Sequence, residues 1–255
     1  MNDPPPFPPP PGDSYGQSPA APPPGGPPAG GPPAGHRPGL AWEQSKDANS
    51  LLTTVKRLIT SPGAAFDDAR EKGDYASPLL FAVVLILVGA MFAAFWQLLI
   101  SPPDYGSRLE ELGPEFAELA TLFSGSAGAS GVITTLIFAP LFGIIGLFIW
   151  SGIVHLTLSL LGGLRDSTAG FEGTFRATSY SYVAQLGQLV PLVGGLLTFV
   201  WSVALQMIGL SSIHRTSQGK AIAAVLIPFF VCCCVGIGLA VAFAGVIAAA
   251  IGAGS

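Results

Sequence analysis

Charged residues are scarce in this chain of 255 residues, since only 10% are Asp, Glu, Lys or Arg. A soluble domain carries about 25%. Hydrophobic residues make up 50% of the chain, and the mean hydropathy is +0.58. The first forty residues hold almost no large apolar side chains, so the remainder is more apolar still. This composition excludes an ordinary soluble globular domain and predicts a polytopic membrane protein.

A surplus of basic residues is also missing. The chain has 11 Lys and Arg against 15 Asp and Glu, which gives a formal net charge of −4. Because no basic field is available to attract phosphates, nucleic acid is excluded as a partner.

Residues that carry catalysis or bind metals are few. The three histidines are His36, His155 and His214, and no Asp or Glu falls within a predicted span. This argues against a proton relay through carboxylates and against an intramembrane aspartyl protease. The three cysteines are consecutive, at 232–234, so they form no disulfide framework and cannot all bind one ion. We therefore predict a protein that is not an enzyme, without cofactor or metal.

Proline is abundant only at the start of the chain, where residues 1–40 hold 16 of the 24 prolines. Such a segment cannot bury enough apolar surface to offset its ordering entropy, so we predict a disordered tail with polyproline II character. It is either a solvated tail or a docking strip for aromatic-lined grooves of a protein partner.

Residues 41–77 are mixed in charge and predict juxtamembrane amphipathic helices. Leu51, Leu52, Val55, Leu58 and Ile59 share one helical face. Ser61 and Pro62 end this helix and suit the start of a second one, which would run to about Lys72. These helices either lie in the headgroup layer or pack against the cytoplasmic ends of the spans.

Residues 78–255 predict an all-α transmembrane bundle, because long uncharged runs of 20 or more residues cover one hydrocarbon core of about 30 Å. A break at Pro191 and Gly194-Gly195 divides one run into a hairpin. The outer loop 101–131 predicts a short acidic amphipathic helix. The five predicted spans are about 79–100, 132–161, 174–192, 195–213 and 221–251.

The distribution of basic residues predicts the orientation. With five spans and a cytoplasmic N-terminus, ten basic residues lie inside and only Arg108 lies outside, as the positive-inside rule favours. The loops between the spans then form a cytoplasmic face for protein partners or lipids. The candidate residues of that face are Lys56, Arg57, Arg165, Arg176, His214 and Arg215.

Polar side chains inside the spans are the other candidates, since lipid cannot satisfy their hydrogen bonds. His155 is either a functional group or a structural hydrogen-bonding residue between helices. The glutamines should face inward and bond across helices. A ridge of small residues in the last span, around Ala244, serves internal packing or an oligomer contact. The candidate intramembrane polar residues are His155, Gln185, Gln188 and Gln206.

A set of short motifs extends over residues 42–230. They are Trp42, Ser61-Pro62, Phe66, Pro78, Gly162-Gly163, the stretch 180–193 with Pro191, Trp201, Gly209-Leu210, His214 and Ala221. Together these motifs resemble the Yip1-domain family of membrane proteins. The resemblance implies five spans, a cytoplasmic N-terminus and a trafficking-like role. The Pro-Gly-Ala-rich character is similar to that of bacterial members, which implies the bacterial inner membrane.

Two functions compete at this point. The first is a non-enzymatic membrane protein that organises membrane partners or lipids, with the cytoplasmic face doing the binding. The alternative is a small transporter or channel that uses the polar interior of the second to fourth spans, because broken helices and buried polar groups mark substrate paths.

Overall fold

The computed structural model describes residues 37–100, 113 and 129–252. The predicted tail and the predicted helix of the outer loop lie outside these residues, apart from a few positions. Throughout the described part the secondary structure is helical, and no strand occurs there. The helices are α1 (Ala41–Gln44), α2 (Ala48–Thr60), α3 (Pro62–Asp68), α4 (Ala76–Ile100), α5 (Ala129–Leu160), α6 (Gly170–Ser181), the 3-10 helix (Tyr182–Leu189), α7 (Gly194–Ile213) and α8 (Gln218–Gly252).

Four helices of the described part are long and apolar enough to cross a membrane. They contain the stretches Ala76–Trp96, Gly131–Leu160, Gly194–Ile213 and Gln218–Ala242. Most of their side chains are apolar, which is typical of helices solvated by lipid. Pro140 lies inside α5 without ending it. These four agree with the predicted first, second, fourth and fifth spans, and the protein is a multi-pass integral membrane protein.

The predicted third span, 174–192, differs from the expectation of one regular helix. The chain forms α6 over twelve residues and then continues as a 3-10 helix of eight residues. A turn at 190–193 follows, where Pro191 and the glycines were expected to break the chain. The 3-10 helix packs between α4 and α7, and α6 packs against α5 and α7. The polar side chains of this segment therefore lie between helices that are mainly apolar.

Helices α1 to α3 form what we call the N-terminal cap. Ser61 precedes α3 and Pro62 is its first residue, as predicted, but α3 ends at Asp68 rather than near Lys72. The cap belongs to the main core, because Leu40, Trp42, Leu58 and Phe66 are buried there together with residues of the spans. Phe66 lies so close to α7 that a methyl group on Gly209 would come within 2.9 Å of its ring.

The apolar side chains that were predicted to share one face of α2 are partly buried and partly exposed. Leu58 is fully buried, and Leu51 and Val55 pack against the core. Leu52 and Ile59 remain 64% and 45% exposed, on either side of the exposed Lys56. The cap therefore packs against the spans, which was one of the two alternatives that the sequence left open. Leu52, Lys56 and Ile59 remain exposed and form an apolar and basic surface on the cap.

Candidate functional site

A buried charge cluster joins the N-terminal cap to α6. Arg176 forms ion pairs with Glu43 and with Glu172, the latter at 2.8 Å, and the side chains of Arg176 and Glu43 have no solvent exposure. Arg176 Nη2 also donates to the main-chain oxygen of Asp74 at 2.7 Å. Tyr180 Oη donates to Glu43 Oε1 at 3.0 Å. We call these five residues the Arg176 cluster.

Local sequence explains how each member reaches the cluster. Glu172 and Arg176 are one helical turn apart on α6, so their side chains meet on the same face. Glu43 lies in the short helix α1, where its second oxygen accepts hydrogen bonds from the N–H groups of Leu40 at 2.9 Å and Arg70 at 3.1 Å. All the polar atoms of the carboxylate are therefore satisfied, which buried charges require.

The Arg176 cluster corrects one sequence-based expectation. Arg176 was expected on an exposed cytoplasmic face, whereas it is fully buried under the cap. The physical reason is Glu43, because a buried carboxylate 133 residues earlier in the chain compensates its charge. Sequence reasoning missed Glu43 and Tyr180, for which no local pattern exists. The spacing of Glu172 and Arg176 was the one available signal.

A second polar group runs between α5, α6 and the end of α7. His155 Nδ1 and Thr174 Oγ1 are hydrogen-bonded at 2.8 Å, and Thr174 Oγ1 and His214 Nε2 at 2.9 Å. His214 Nδ1 is in turn 2.7 Å from Ser167 Oγ. We call these four residues the histidine chain. His155 therefore bonds to Thr174, while the neighbouring Ser151 hydroxyl has no hydrogen-bond partner among the residues that the structure describes.

The histidine chain is consistent with two neutral imidazoles. Thr174 can accept from His155 Nδ1–H and donate to His214 Nε2, while His214 Nδ1–H donates to Ser167. Burial and, to a smaller extent, the proximity of His155 lower the pKa of His214 to about 4, with Glu71 partly opposing the shift. His214 was expected at the exposed cytoplasmic face, but it is fully buried because α6 covers it.

A polar cavity of about 160 Å³ lies between α5, α6, the 3-10 helix and α7. Gln206 accepts a 2.7 Å hydrogen bond from Trp150 Nε1 at its wall. Gln185 and Thr198 also line the cavity, and within residues 37–100 and 129–252 the buried hydroxyl of Thr198 has no hydrogen-bond partner. Gln188 and His155 are absent from its lining. The structure thus brings two of the four intramembrane candidates together.

The other basic candidates lie near the surface. Lys56 is exposed, and Arg57 pairs with Asp68 between α2 and α3. Arg215 pairs with Glu71 at 2.7 Å, and Arg37 approaches the same carboxylate at 3.3 Å. Burial raises the pKa of Glu71, but the Thr168 hydrogen bond and the charges of Arg215 and Arg37 outweigh it, so the net shift is downward. Arg165 is exposed in the turn that follows α5.

No cluster of metal-ligating side chains occurs among the described residues. Of the three cysteines, Cys232 and Cys234 are exposed at the surface of α8. The three point in different directions from one helix, as consecutive residues must.

Comparison with known proteins identifies the family. The sequence model described as the Yip1 domain matches residues 56–251, which is most of the chain. The chain belongs to the Yip1 domain family. Membrane protein YknW of Bacillus subtilis (strain 168) is 29% identical over 200 residues, covering 68% of this chain and 84% of that protein. No solved structure matches the chain. The Yip1 domain thus includes the C-terminal part of α2, the whole of α3 and all four of the long apolar helices described above.

Proposed function

We propose that this Yip1-domain protein is a non-enzymatic organiser of membrane partners or lipids, and that its N-terminal cap is the working surface. The observation that carries this proposal is the Arg176 cluster, which fixes the cap to the spans through buried ion pairs. A cap held in this way presents Leu52, Lys56 and Ile59 outward at defined positions. Preorganisation of this kind lowers the ordering cost of binding.

The proposal includes five spans, a cytoplasmic N-terminus and the bacterial inner membrane. At about 1.5 Å per α-helical and about 2.0 Å per 3-10 residue, the uncharged stretch from Ala177 to Leu189 reaches roughly 24 Å. Together with the turn at 190–193 it comes close to a hydrocarbon core of about 30 Å, which supports a third crossing. Ten of the eleven basic residues then lie on the cytoplasmic side.

A reporter that is active only in the cytoplasm should be silent at the C-terminus and active at the N-terminus. The reason is that an odd number of crossings places the two ends on opposite sides of the membrane. The measurement is reporter activity in cells carrying each fusion, with immunoblots to confirm equal amounts. Activity at both ends would contradict five spans and favour four.

Crosslinking in native membranes tests the working surface. The double substitution Leu52→Ser/Ile59→Ser should reduce crosslinked partners by about tenfold, because it removes the two exposed apolar anchors. Thr53→Ala/Thr60→Ala is the matched control, since both threonines are exposed on the same helix. Deleting residues 1–36 separately reveals whether the tail carries a partner. If both deletion and Leu52→Ser/Ile59→Ser leave every crosslink in place, the proposal is wrong.

The polar cavity is the observation that favours the alternative, a small transporter or channel. Its lining of Gln185, Thr198 and Gln206 offers hydrogen bonds to an uncharged polar solute. Solute flux into proteoliposomes separates the two functions: an organiser gives the same flux with wild type and Gln206→Leu, whereas a transporter does not.

A further inference from the structure

A second cavity, remote from the Arg176 cluster, lies where α5 ends and α8 begins. It has a volume of about 460 Å³ and is lined by residues of the α5 end and the following turn together with Lys220. Arg165 and Lys220 are its two charged side chains, so we call it the basic pocket. Neither the buried clusters nor the N-terminal cap contributes to it.

Both cations converge on the turn at Gly162. The turn is tight, since Gly162 has φ +65° and the N–H of Gly163 donates to the oxygen of Leu158 at 2.8 Å. Lys220 Nζ donates to the oxygen of Gly162 at 3.0 Å. Arg165 folds over the same residue, because a methyl group on Gly162 would lie 3.4 Å from its Nε.

The pocket holds positive charge that the surrounding protein does not neutralise. Within residues 37–100 and 129–252, neither Arg165 nor Lys220 forms an ion pair, whereas Arg37, Arg57, Arg176 and Arg215 all do. Lys220 uses one of its three donors on Gly162. Two like charges on one cavity repel each other, so an anion between them is stabilising.

The position of the pocket indicates the source of that anion. Leu160 ends the membrane-spanning part of α5 and is 79% exposed, and Ile222, two residues beyond Lys220, is 40% exposed. Apolar side chains that face lipid thus lie directly beside the two cations. This is the depth at which the phosphates of phospholipids meet the ends of spans.

We propose that the basic pocket binds the phosphodiester headgroup of an anionic phospholipid. Arg165 and Lys220 bind the phosphate oxygens, and the acyl chains lie along Leu160 and Ile222. This inference rests on the proposed function, because it names one ligand of the protein. It is tested with purified protein and lipid alone, so its failure would leave the crosslinking result for the cap untouched.

The test is a lipid titration of the full chain, purified in detergent and freed of lipid, followed by native mass spectrometry. Phosphatidylglycerol should bind more tightly than phosphatidylcholine. Arg165→Gln/Lys220→Gln should weaken phosphatidylglycerol binding by roughly tenfold or more and phosphatidylcholine binding much less, because the choline cation already offsets the attraction of that phosphate to the pocket. Arg70→Gln/Lys72→Gln is the matched control, since it removes one arginine and one lysine that belong neither to the basic pocket nor to the outward surface of α2.

Several results would overturn the assignment. Equal weakening by both double substitutions would indicate diffuse surface charge, and equal affinity for the two lipids would exclude headgroup selection. Displacement of phosphatidylglycerol by inorganic phosphate alone would identify free phosphate as the ligand. Because Lys220 also caps the end of α5, Arg165→Gln is measured alone as well. Arg165 makes no hydrogen bond to the described residues, so weakened binding in Arg165→Gln reports on the ligand, and unchanged binding contradicts the proposal.

Discussion

Replacing Arg176 with methionine will destabilise the protein by about 3–5 kcal/mol, the cost of leaving buried charges uncompensated. Glu43 has no solvent exposure and Glu172 little, so both carboxylates lose their main cation together. For a chain of this size the midpoint of thermal unfolding in detergent should fall by roughly 10 °C or more. Limited proteolysis should cut within the N-terminal cap at the same time.

Two comparisons make this prediction specific. Glu43→Gln should cost less than Arg176→Met, because Arg176 keeps Glu172 as a partner. Arg57→Met is the matched control: the side chains of its ion pair with Asp68 are 39% and 33% exposed, so about 1 kcal/mol or less is expected. Equal effects of Arg57→Met and Arg176→Met would show that the cap is not held by the buried charges.

The second large effect that we expect is a loss of folding stability in acid, caused by His214. Free histidine has a pKa near 6.5, whereas burial lowers the pKa of His214 to about 4, so the unfolded chain binds a proton that the folded protein excludes. The stabilisation is complete above pH 6.5, declines as the pH falls towards 4, and is absent below it. It amounts to about 3 kcal/mol, since one pKa unit corresponds to about 1.4 kcal/mol.

The measurement is the unfolding midpoint of the purified protein between pH 7 and pH 4. The wild type should lose stability over this range, and His214→Gln should flatten the decline above pH 4.5. Glu71 and Asp74 do not interfere there, because both have lowered pKa values and lose their stabilisation only in stronger acid. An unchanged slope in His214→Gln would assign the acid sensitivity to other groups.

Much of the fold was predictable because lipid as a solvent imposes a simple pattern. Four uncharged runs correspond to long helices, and the break near Pro191 lies where proline and paired glycines were expected to place it. The 3-10 helix could not be predicted, because its conformation is set by packing between α4 and α7. Nothing in the residues of 182–189 alone distinguishes it from an α-helix.

The candidate site was predictable only where its residues are close in sequence. Glu172 and Arg176 could be paired by spacing, but Glu43 lies 133 residues before Arg176 and has no pattern of its own. His155 was singled out from the sequence as a polar residue within a predicted span. Its connection to His214 runs through Thr174, whose hydroxyl is one of many in the chain. Such contacts arise from tertiary packing, which cannot be inferred from the spacing of residue types along a single helix.

The separation of Glu43 and Arg176 also has a consequence for biosynthesis. A ribosome adds about 5–20 residues per second, so the carboxylate leaves the exit tunnel roughly ten seconds before its cation does. During that interval α1 to α3 have no bundle to cover. Phe66 is covered by Gly209 of α7 in the finished protein, so during synthesis it stays without this contact until α7 has been made.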